Sequence, residues 1–465
     1  MAILFESIYT PGIAQISYLV GDAKAGIAAV IDPRRDIDVY LKLAADKGVR
    51  IAYTIETHIH ADFVSGVHEL ASRTGAIIIG GSSADYGFDL RQVAAGDTVE
   101  LGSVTLRVLQ TPGHTPEHIC LLVSDSLQGL EPFGVCTGDT LFNLDVGRPD
   151  LVGGGTERSL AASLYQSLFE RLVPLGDRVE VYPCHGAGSA CGKSIGDRRQ
   201  STIGNERLYN SALNTQRSEE GFIDWLLHDM PPPPLHYARL KKLNAHGAPL
   251  RPAPMAAPLD PHAFETRAKN TAVVDVRSIL AFGGGHVPGA LNVALRDEFP
   301  TWAGSMIDAS KPVLLVGENP AQVHEAVQQL YRIGIDDVAG YLGDGMTAWQ
   351  NAGKPLTSVA EWSVETLNAK RGDAGIIVLD VRTVSEFAKG HVPGATNVPL
   401  LQLLEGGPDI DRDQTVATFC GSGYRASIAA GLLEQRGFRR VVNVPGSWMA
   451  WKAAQLPVEM TSAQH

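Results

Sequence analysis

The ten residues T-H-I-H-A-D-F-V-S-G, at 57–66, constrain the fold of this chain more than any other stretch. They follow an apolar run at 51–55 that is typical of a strand, and they place His58, His60 and Asp62 close together in the chain. Imidazole and carboxylate groups are common ligands of divalent transition metals. A strand that ends in such a loop therefore predicts a metal site at the edge of a sheet.

Two further strand-like runs, at 104–109 and 133–136, end in turns that carry candidate ligands. The turn T-P-G-H-T offers His114, and the turn T-G-D-T-L offers Asp139. Three separate strand ends that deliver two histidines and an aspartate predict a metal cleft in an α/β sandwich. At this stage the candidate ligands are His58, His60 and Asp62 from the first loop, with His114 and Asp139 from the two turns.

The order of these motifs, with Y-P-C-H-G following at 182–186, resembles the metallo-β-lactamase fold. Within that fold the chain is most similar to the persulfide dioxygenases, and glyoxalase II is the nearest hydrolytic relative. The resemblance implies an αββα sandwich over residues 1–245. It also implies that His58, His114 and Asp139 are the ligands of one metal ion. Two imidazoles and one carboxylate leave part of the coordination sphere open, as in non-haem Fe(II) oxygenases. We therefore expect one Fe(2+) per chain.

The second metal site of the fold is incomplete in this sequence. Hydrolases of the fold usually hold two metals, and Asp62 and His185 match two ligands of the second one. Phe63 stands where a further histidine ligand is expected, and a benzyl group cannot ligate. This departure favours a mononuclear site without identifying the metal, so a Zn-dependent thioester hydrolase of the glyoxalase II type stays open as an alternative.

The resemblance also assigns residues around the metal. Those expected to support the site without ligating are His60, Asp62 and His185, with direct ligation as the alternative for His60. Those expected to bind substrate are Arg148, Tyr182 and Arg207. For Arg148 the alternative is a structural ion pair with Asp150. Cys191 is either a redox or persulfide-accepting thiol or a buried core residue.

Composition limits the partners of the chain. The net charge of −12 argues against a nucleic-acid binder, because phosphate contacts need a basic face. No run approaches the roughly 18 apolar residues of a membrane span, and residues 1–6 lack the features of a signal peptide. Five cysteines without a C-x-x-C pair indicate reduced thiols. We expect a cytoplasmic homo-oligomer that binds neither nucleic acid nor membrane.

At 465 residues, the chain is long enough for about three domains. Four consecutive prolines at 231–234 favour an extended segment, and a second stretch rich in proline and alanine follows at 247–261. We therefore predict that residues 231–261 connect two domains.

After this segment the chain repeats itself. The stretch V-V-D-V-R…G-H-V-P-G-A-L-N-V at 273–293 matches V-L-D-V-R…G-H-V-P-G-A-T-N-V at 378–398. Both copies resemble the rhodanese family, an α/β fold with a small parallel sheet. We predict two tandem domains, called here the first repeat (262–356) and the second repeat (357–465).

The second repeat carries the loop C-G-S-G-Y-R at 420–425, called here the Cys420 loop. It lies between a predicted strand at 415–419 and a predicted helix at 427–436, which Ser427 can cap. Backbone N–H groups and the helix dipole favour a thiolate at such a turn. The expected catalytic residues are Cys420 and Arg425. The expected substrate-binding residues of the loop are Gly421, Ser422, Gly423 and Tyr424.

The first repeat has no nucleophile at the matching turn. Gly317 stands at the cysteine position, Gln322 at the arginine position, and Glu318 adds a negative charge where an anion would bind. We predict that this repeat is catalytically silent and serves as a spacer or an interface.

Together the resemblances imply a persulfide dioxygenase fused to a rhodanese. The hypothesis is that O2 oxidises glutathione persulfide, or a similar small persulfide, to sulfite and thiol. Cys420 then transfers sulfane sulfur, with thiosulfate as the net product. The alternative from a different class is a persulfide carrier or relay protein, in which the metal domain serves for docking or sensing.

Overall fold

The structure is a computed structural model that describes residues 3–129, 131–406 and 410–460. The chain divides into two compact units. The first unit extends to Ala253 and includes Tyr331–Gly334, and the second begins at Pro254. No helix among the described residues has both the length and the apolar character that crossing a bilayer requires.

The first unit contains two mixed six-stranded sheets with flanking helices. The strands are β1 (Ile3–Thr10), β2 (Gln15–Asp22), β3 (Ile27–Ile31), β4 (Arg50–Ile55), β5 (Ile77–Gly81), β6 (Arg91–Val93), β7 (Thr98–Leu101), β8 (Val104–Gln110), β9 (Ile119–Asp125), β10 (Gly134–Gly138), β11 (Glu180–Pro183) and β12 (Ser201–Thr202). The helices are α1 (Asp38–Lys47), α2 (Val67–Thr74), α3 (Glu157–Gln166), α4 (Ile203–Tyr209), α5 (Glu219–Leu227) and α6 (Tyr237–His246). One sheet has the order β1-β2-β3-β4-β5-β6 and the other β12-β11-β10-β9-β8-β7.

The two faces of each sheet are buried in different cores. On β9, Leu121 and Val123 pack between the sheets, whereas Cys120 and Leu122 pack against the helical layer. Successive side chains of a strand point to opposite faces, so a strand buried on both faces is continuously apolar. The predicted αββα sandwich is confirmed.

The segment that we predicted as a connection contains a helix of the first unit. Helix α6 lies inside 231–261, and its Tyr237 and Leu240 side chains are buried. Its Asn244 side chain bonds to the loop that follows β4. The sequence did not reveal this helix, because the four prolines interrupt the helical pattern and the last of them stands only six residues before Leu240.

The second unit contains two five-stranded sheets built to one plan. The strands are β13 (Pro258–Leu259), β14 (Ala272–Asp275), β15 (Leu291–Asn292), β16 (Val313–Val316), β17 (Val338–Leu342), β18 (Ala360–Glu361), β19 (Ile376–Asp380), β20 (Thr396–Asn397), β21 (Thr415–Phe419) and β22 (Arg440–Asn443). The helices of this part of the chain are α7 (Pro261–Ala268), α8 (Ile279–Gly284), α9 (Phe299–Met306), α10 (Pro320–Arg332), α11 (Gly345–Asn351), α12 (Val364–Lys370), α13 (Val384–Ala388), α14 (Leu400–Glu405), α15 (Tyr424–Gln435) and α16 (Ser447–Ala453). The orders β13-β17-β16-β14-β15 and β18-β22-β21-β19-β20 correspond strand for strand, and the pairs are parallel.

The D-V-R motif explains why both repeats fold alike. In the second repeat, Arg382 is buried and bonds to both carboxylate oxygens of Asp380, and it also donates to the carbonyl of Gly390. Arg277 makes the same contacts with Asp275 and Gly285. Each arginine therefore connects the end of a central strand to the glycine of the G-H motif. The two predicted rhodanese-like domains are confirmed.

Candidate metal centre and sulfur site

The candidate metal ligands lie on loops that follow strands of both sheets. His58 belongs to the loop at 56–66 between β4 and α2, called here the metal loop. His114 lies between β8 and β9, and Asp139 comes directly after β10. Both sheets therefore contribute to one cluster.

The three predicted ligands converge on one point. The Nε2 atoms of His58 and His114 lie 3.7 and 3.4 Å from Oδ2 of Asp139. All three side chains are buried, and their donor atoms lie within 4.8 Å of one another. His58 Nε2 and Asp139 Oδ2 have no hydrogen-bond partner among the described residues. Because buried polar atoms are costly without a partner, this donor set fits a bound metal ion.

Hydrogen bonds fix which nitrogen of His58 is free. Thr57 Oγ1 lies 2.9 Å from a carboxylate oxygen of Asp32 and 3.0 Å from His58 Nδ1. The single hydroxyl proton goes to the carboxylate, so the oxygen accepts the proton of Nδ1. The lone pair of His58 is therefore on Nε2, toward the cluster.

His114 is fixed in the same way by the backbone. Its Nδ1 lies 2.8 Å from the carbonyl oxygen of Arg148. A carbonyl oxygen only accepts, so Nδ1 carries the proton and Nε2 has the free lone pair. Both histidines thus present Nε2 to the same point.

Asp139 is oriented from two sides. His185 Nδ1 lies 2.8 Å from its Oδ1, which leaves Oδ2 for a metal. The backbone N–H of Asp139 donates to His118 Nε2 at 2.9 Å. His185 in turn contacts Asp62 at 2.8 Å through Nε2, so a chain of three side chains supports one ligand.

The electrostatics favour the protonation states that bind metal. Burial lowers the pKa of both His58 and His114. Burial raises the pKa of Asp139, but the neighbouring His185 and His58 outweigh it and hold that pKa well below its ordinary value. Neutral imidazoles and an ionised carboxylate are the ligating forms.

The metal loop is fastened by α6. The side-chain amide of Asn244 donates to the carbonyls of His60 and Phe63, both at 2.8 Å, and its Oδ1 accepts the N–H of Ser65 at 3.0 Å. His60 Nε2 lies 3.1 Å from Asp32, not at the cluster of three ligands. His60 is thus placed as a support for the loop.

A second group of donors lies beside the first. Asp62, His185 and Cys191 are buried, and one donor atom of each lies within 4.8 Å of the others. The ring of Phe63 is also buried, with its centroid 6.5 Å from that of His185. Cys191 is therefore buried, and its sulfur lies beside two potential metal ligands, Asp62 and His185.

The structure places the three predicted substrate-binding residues of this unit away from the cluster. The Arg148 guanidinium is buried against Asp150 and the carbonyls of Ala190 and Pro231, which is the structural ion pair that we weighed as the alternative. The other two residues also differ from expectation. The Tyr182 ring packs in the core between the sheets with its hydroxyl on Glu180, and Arg207 is exposed and paired with Asp177.

The Cys420 loop directly follows β21, as predicted, and its last two residues are the first two of α15. Cys420 is 1% exposed, and its Sγ accepts the backbone N–H of Gly423 at 3.1 Å. The first turn of α16 holds the loop from the other side, because the backbone N–H groups of Trp448 and Met449 donate to the carbonyls of Cys420 and Gly421 at 3.0 Å each. The carbonyl of Ser422 accepts the N–H of Gly446 in the same way.

Arg425 closes the loop and is itself paired. Its guanidinium makes two hydrogen bonds, of 2.8 and 2.7 Å, with the carboxylate of Glu386 on α13. Burial raises the pKa of Glu386, but these bonds and the charge of Arg425 outweigh it and lower the pKa to about 2. A Cβ added to Gly421 would lie 3.2 Å from Arg425 Nη2, so glycine there keeps the guanidinium close to the loop.

Two predictions for the Cys420 loop were wrong in detail. Helix α15 begins at Tyr424, so Ser427 lies inside the helix and does not cap it, and Gly423 is the N-cap. The Tyr424 side chain does not face the loop, because its hydroxyl donates to the carbonyl of Ala294. Only the backbone of Tyr424 belongs to the loop.

The matching turn of the first repeat has no room for a cysteine. A Cβ on Gly317 would lie 2.7 Å from Cγ2 of Val323. The Gln322 side-chain oxygen accepts the N–H of Glu318 at 2.8 Å, so this side chain forms a hydrogen bond within the turn. These contacts agree with a catalytically silent repeat.

Several supporting residues had no distinctive signal in the sequence. Ser447 is one of them, because its hydroxyl accepts the N–H of Cys420 at 3.1 Å. These residues act through partners that are distant in the chain: Asp32, His118, Asn244, Glu386 and Ser447. His118 could have been found, because it stands four residues after His114 in T-P-G-H-T-P-E-H. The others are ordinary polar residues whose partners become visible only in the fold.

Comparison with known proteins gives two family matches. The metallo-β-lactamase superfamily matches residues 12–185, and the rhodanese-like domain matches residues 260–352 and 363–454. A metallo-β-lactamase of Staphylococcus aureus with a crystal structure is 36% identical, covers 73% of this chain and 99% of its own, and superposes with a TM-score of 0.68.

Two curated relatives are similar to the N-terminal half. The mitochondrial persulfide dioxygenase of Bos taurus is 28% identical over 47% of this chain and 78% of its own length. The hydroxyacylglutathione hydrolase of Nitrosococcus oceani is 35% identical over 39% of this chain and 66% of its own. The relatives thus include a dioxygenase and a hydrolase.

Proposed function

Since the chain belongs to the metallo-β-lactamase superfamily and carries two rhodanese-like domains, we propose that it is a persulfide dioxygenase coupled to a sulfurtransferase. The substrate that we propose is a low-molecular-weight persulfide, with glutathione persulfide as the first choice. The similarity to a mitochondrial persulfide dioxygenase supports this choice.

The observation that carries the proposal is the buried set of two Nε2 atoms and one carboxylate oxygen. Two histidines and one carboxylate on one face are the ligands of non-haem Fe(II) oxygenases. We propose one Fe(2+) per chain, held by His58, His114 and Asp139. The ion would supply redox chemistry and open positions for O2 and for the persulfide sulfur.

The residues of the chain would prepare this site for the reaction. Thr57 and the Arg148 carbonyl hold the ligating rings in one tautomer, and His185 turns one oxygen of Asp139 toward the metal position. Burial of the ligands excludes bulk water. The overall reaction joins one persulfide, one O2 and one water to give one thiol, one sulfite and two protons.

The second step uses Cys420. Its thiolate attacks the outer sulfur of a second persulfide, so that an Sγ–S bond forms, the S–S bond of the donor breaks, and the donor thiol leaves. Sulfite then attacks the outer sulfur on Cys420 and leaves as thiosulfate, which restores the thiolate. The Gly423 N–H at 3.1 Å from Sγ stabilises the negative charge in both thiolate and persulfide forms.

The decisive experiment is oxygen-electrode turnover with glutathione persulfide, with metal content and products measured on the same sample. We expect iron-dependent O2 uptake that yields sulfite in a Cys420→Ser variant and thiosulfate in the wild type. His114→Ala should abolish O2 uptake, whereas His324→Ala, an exposed histidine, should not. Transfer through Cys420 without any O2 uptake would instead indicate a persulfide carrier.

A second candidate is thioester hydrolysis at a two-metal site. The group formed by Asp62, His185 and Cys191 favours it, because these donors lie beside the first site. The hydrolase similarity points the same way. Two zinc ions per chain, with thioesterase turnover and no O2 uptake, would establish this alternative and refute the dioxygenase.

A further inference from the structure

Helix α15, which starts at the Cys420 loop, is buried on nearly all sides. Nine of its residues are buried: Tyr424, Ala426, Ser427, Ile428, Ala429, Ala430, Gly431, Leu432 and Leu433. A helix that is apolar all round must be covered on more than one face. One cover is the sheet of its own repeat. The other is the first repeat, since a Cβ on Gly431 would lie 3.2 Å from Leu291 and 3.4 Å from the Ala290 carbonyl.

The first turn of α15 is hydrogen-bonded to the first repeat at two points. The Tyr424 hydroxyl donates to the carbonyl of Ala294 at 2.7 Å. The Ser427 hydroxyl lies 2.6 Å from Oδ1 of Asn292. All four residues are buried, so these bonds are shielded from water.

Asn292 is a rigid acceptor. Its amide nitrogen donates to the carbonyls of Asp275 and Arg277, at 2.9 and 3.1 Å, which leaves Oδ1 for Ser427. In the second repeat, Asn397 makes the two equivalent donations, to Asp380 and Arg382. Both repeats therefore fix this asparagine in the same way. In the first repeat, the free Oδ1 of Asn292 accepts from Ser427 and so holds helix α15 of the second repeat.

The Cys420 loop itself also meets the first repeat. Gly423 has φ +95°, and a Cβ there would lie 3.3 Å from Cδ1 of Ile279 and 3.0 Å from Cα of Pro445. The backbone of Gly423 is therefore enclosed by both repeats. This residue supplies the N–H that reaches Cys420 Sγ, so its position sets how well that negative charge is stabilised.

We propose that the silent first repeat is a positioning element of the sulfur site, which sets the reactivity of Cys420 by fixing the first turn of α15 through Tyr424 and Ser427. The inference deepens the sulfurtransferase part of the proposed function and rests on it for its biological meaning. Tyr424 and Ser427 are positioning residues, because their side chains bond to the first repeat and act on Cys420 through the helix.

The test compares two variants of the full chain. Each removes hydrogen bonds between α15 and the first repeat, one at the first turn of the helix and the other at its last turn. Tyr424→Phe with Ser427→Ala removes both bonds at the first turn. Gln435→Ala is the matched control, because Gln435 donates to the Gly289 carbonyl at 2.9 Å from the last turn of α15. Both variants lose contacts to the first repeat, but only the double variant changes residues in the turn of α15 that is next to Cys420.

The primary readout is alkylation of Cys420 by iodoacetamide between pH 5 and 10, followed on the Cys420 peptide by mass spectrometry. We expect the double variant to react about three- to tenfold more slowly near neutral pH, because the hydrogen bond from the Gly423 N–H supports the reactive form of Cys420. The kcat for sulfur transfer should fall with it at nearly constant KM. Gln435→Ala should match the wild type in both measurements.

The measurements test the positioning role of the first repeat separately from the proposed sulfurtransferase activity. An unchanged alkylation profile in the double variant overturns the inference, and so does an equal shift in Gln435→Ala. O2 uptake with glutathione persulfide serves as the folding control for the first unit, and each single variant is assayed if the double variant unfolds. A wild type that transfers no sulfur would refute the sulfurtransferase, while the alkylation profiles would still decide the positioning role.

Discussion

The Nδ1–H of His114 donates to the carbonyl oxygen of Arg148 across 2.8 Å. The guanidinium of the same arginine is buried and tied to Asp150 and to the Pro231 carbonyl. The side chain that the sequence suggested for substrate binding therefore anchors the backbone acceptor of His114, a proposed metal ligand. Its contribution to activity should appear in metal binding and stability, not in substrate affinity alone.

The first prediction concerns Arg148→Met. Loss of the buried hydrogen bonds should lower the free energy of unfolding of the first unit by about 1–3 kcal/mol. It should also weaken metal binding, because the acceptor for His114 loses its anchor. Denaturant unfolding and metal titration check this. Arg207→Met, which removes an exposed arginine, should leave both quantities unchanged, and a pure KM effect in Arg148→Met would restore the substrate-binding interpretation.

The second prediction concerns Thr57→Val, which keeps the shape of the side chain and removes the oxygen that accepts from His58. Supporting hydrogen bonds of this kind are worth about 10–100-fold in metal affinity. We expect a loss in that range, measured by competition with a chelator. Thr54→Val is the matched control, since the Thr54 hydroxyl is buried and has no hydrogen-bond partner in the part of the chain that the structure describes. Equal losses in both variants would contradict the role of Thr57.

The sequence was informative where neighbouring residues act together. The D-V-R motif predicted both repeats because its arginine makes its contacts within a short stretch. H-x-H-x-D predicted the metal loop for a different reason, since its residue types and spacing identify it although its partners are distant in the chain. Asn244 was missed because its partners, His60 and Phe63, are distant in the chain. Ser427 was misread because a serine before an apolar run is typical of a cap, whereas Gly423 at φ +95° starts the helix earlier.

The third prediction concerns Asn244→Ala on α6. The change removes three hydrogen bonds to the metal loop, so the first unit should lose about 1–3 kcal/mol of stability and bind metal less tightly. Lys242→Ala, at an exposed position of the same helix, should change neither. Chemical denaturation with and without metal measures both effects. An unaffected metal affinity would show that the loop holds its geometry without α6.

The fourth prediction concerns the pH dependence of the pair formed by Glu386 and Arg425. Folding lowers the pKa of Glu386 from its ordinary 4.5 to about 2, with the bonds and charge of Arg425 outweighing burial. A carboxylate whose pKa is depressed stabilises the fold above its unfolded value, and this stabilisation is lost as the pH falls toward the folded value. The pair should therefore contribute fully above about pH 4.5 and progressively less down to about pH 2.

Calorimetry of the wild type and Glu386→Gln tests this sign. The wild type should have the higher Tm for the second unit at pH 6, and the difference should shrink on acidification below pH 4.5, because protonation leaves the wild type with a neutral side chain as well. Glu405→Gln is the control, since Glu405 is exposed and forms no ion pair with an arginine among the described residues. A difference that grows toward low pH would mean that Glu386 is held as the neutral acid, and Arg425 would then be free to bind the anion.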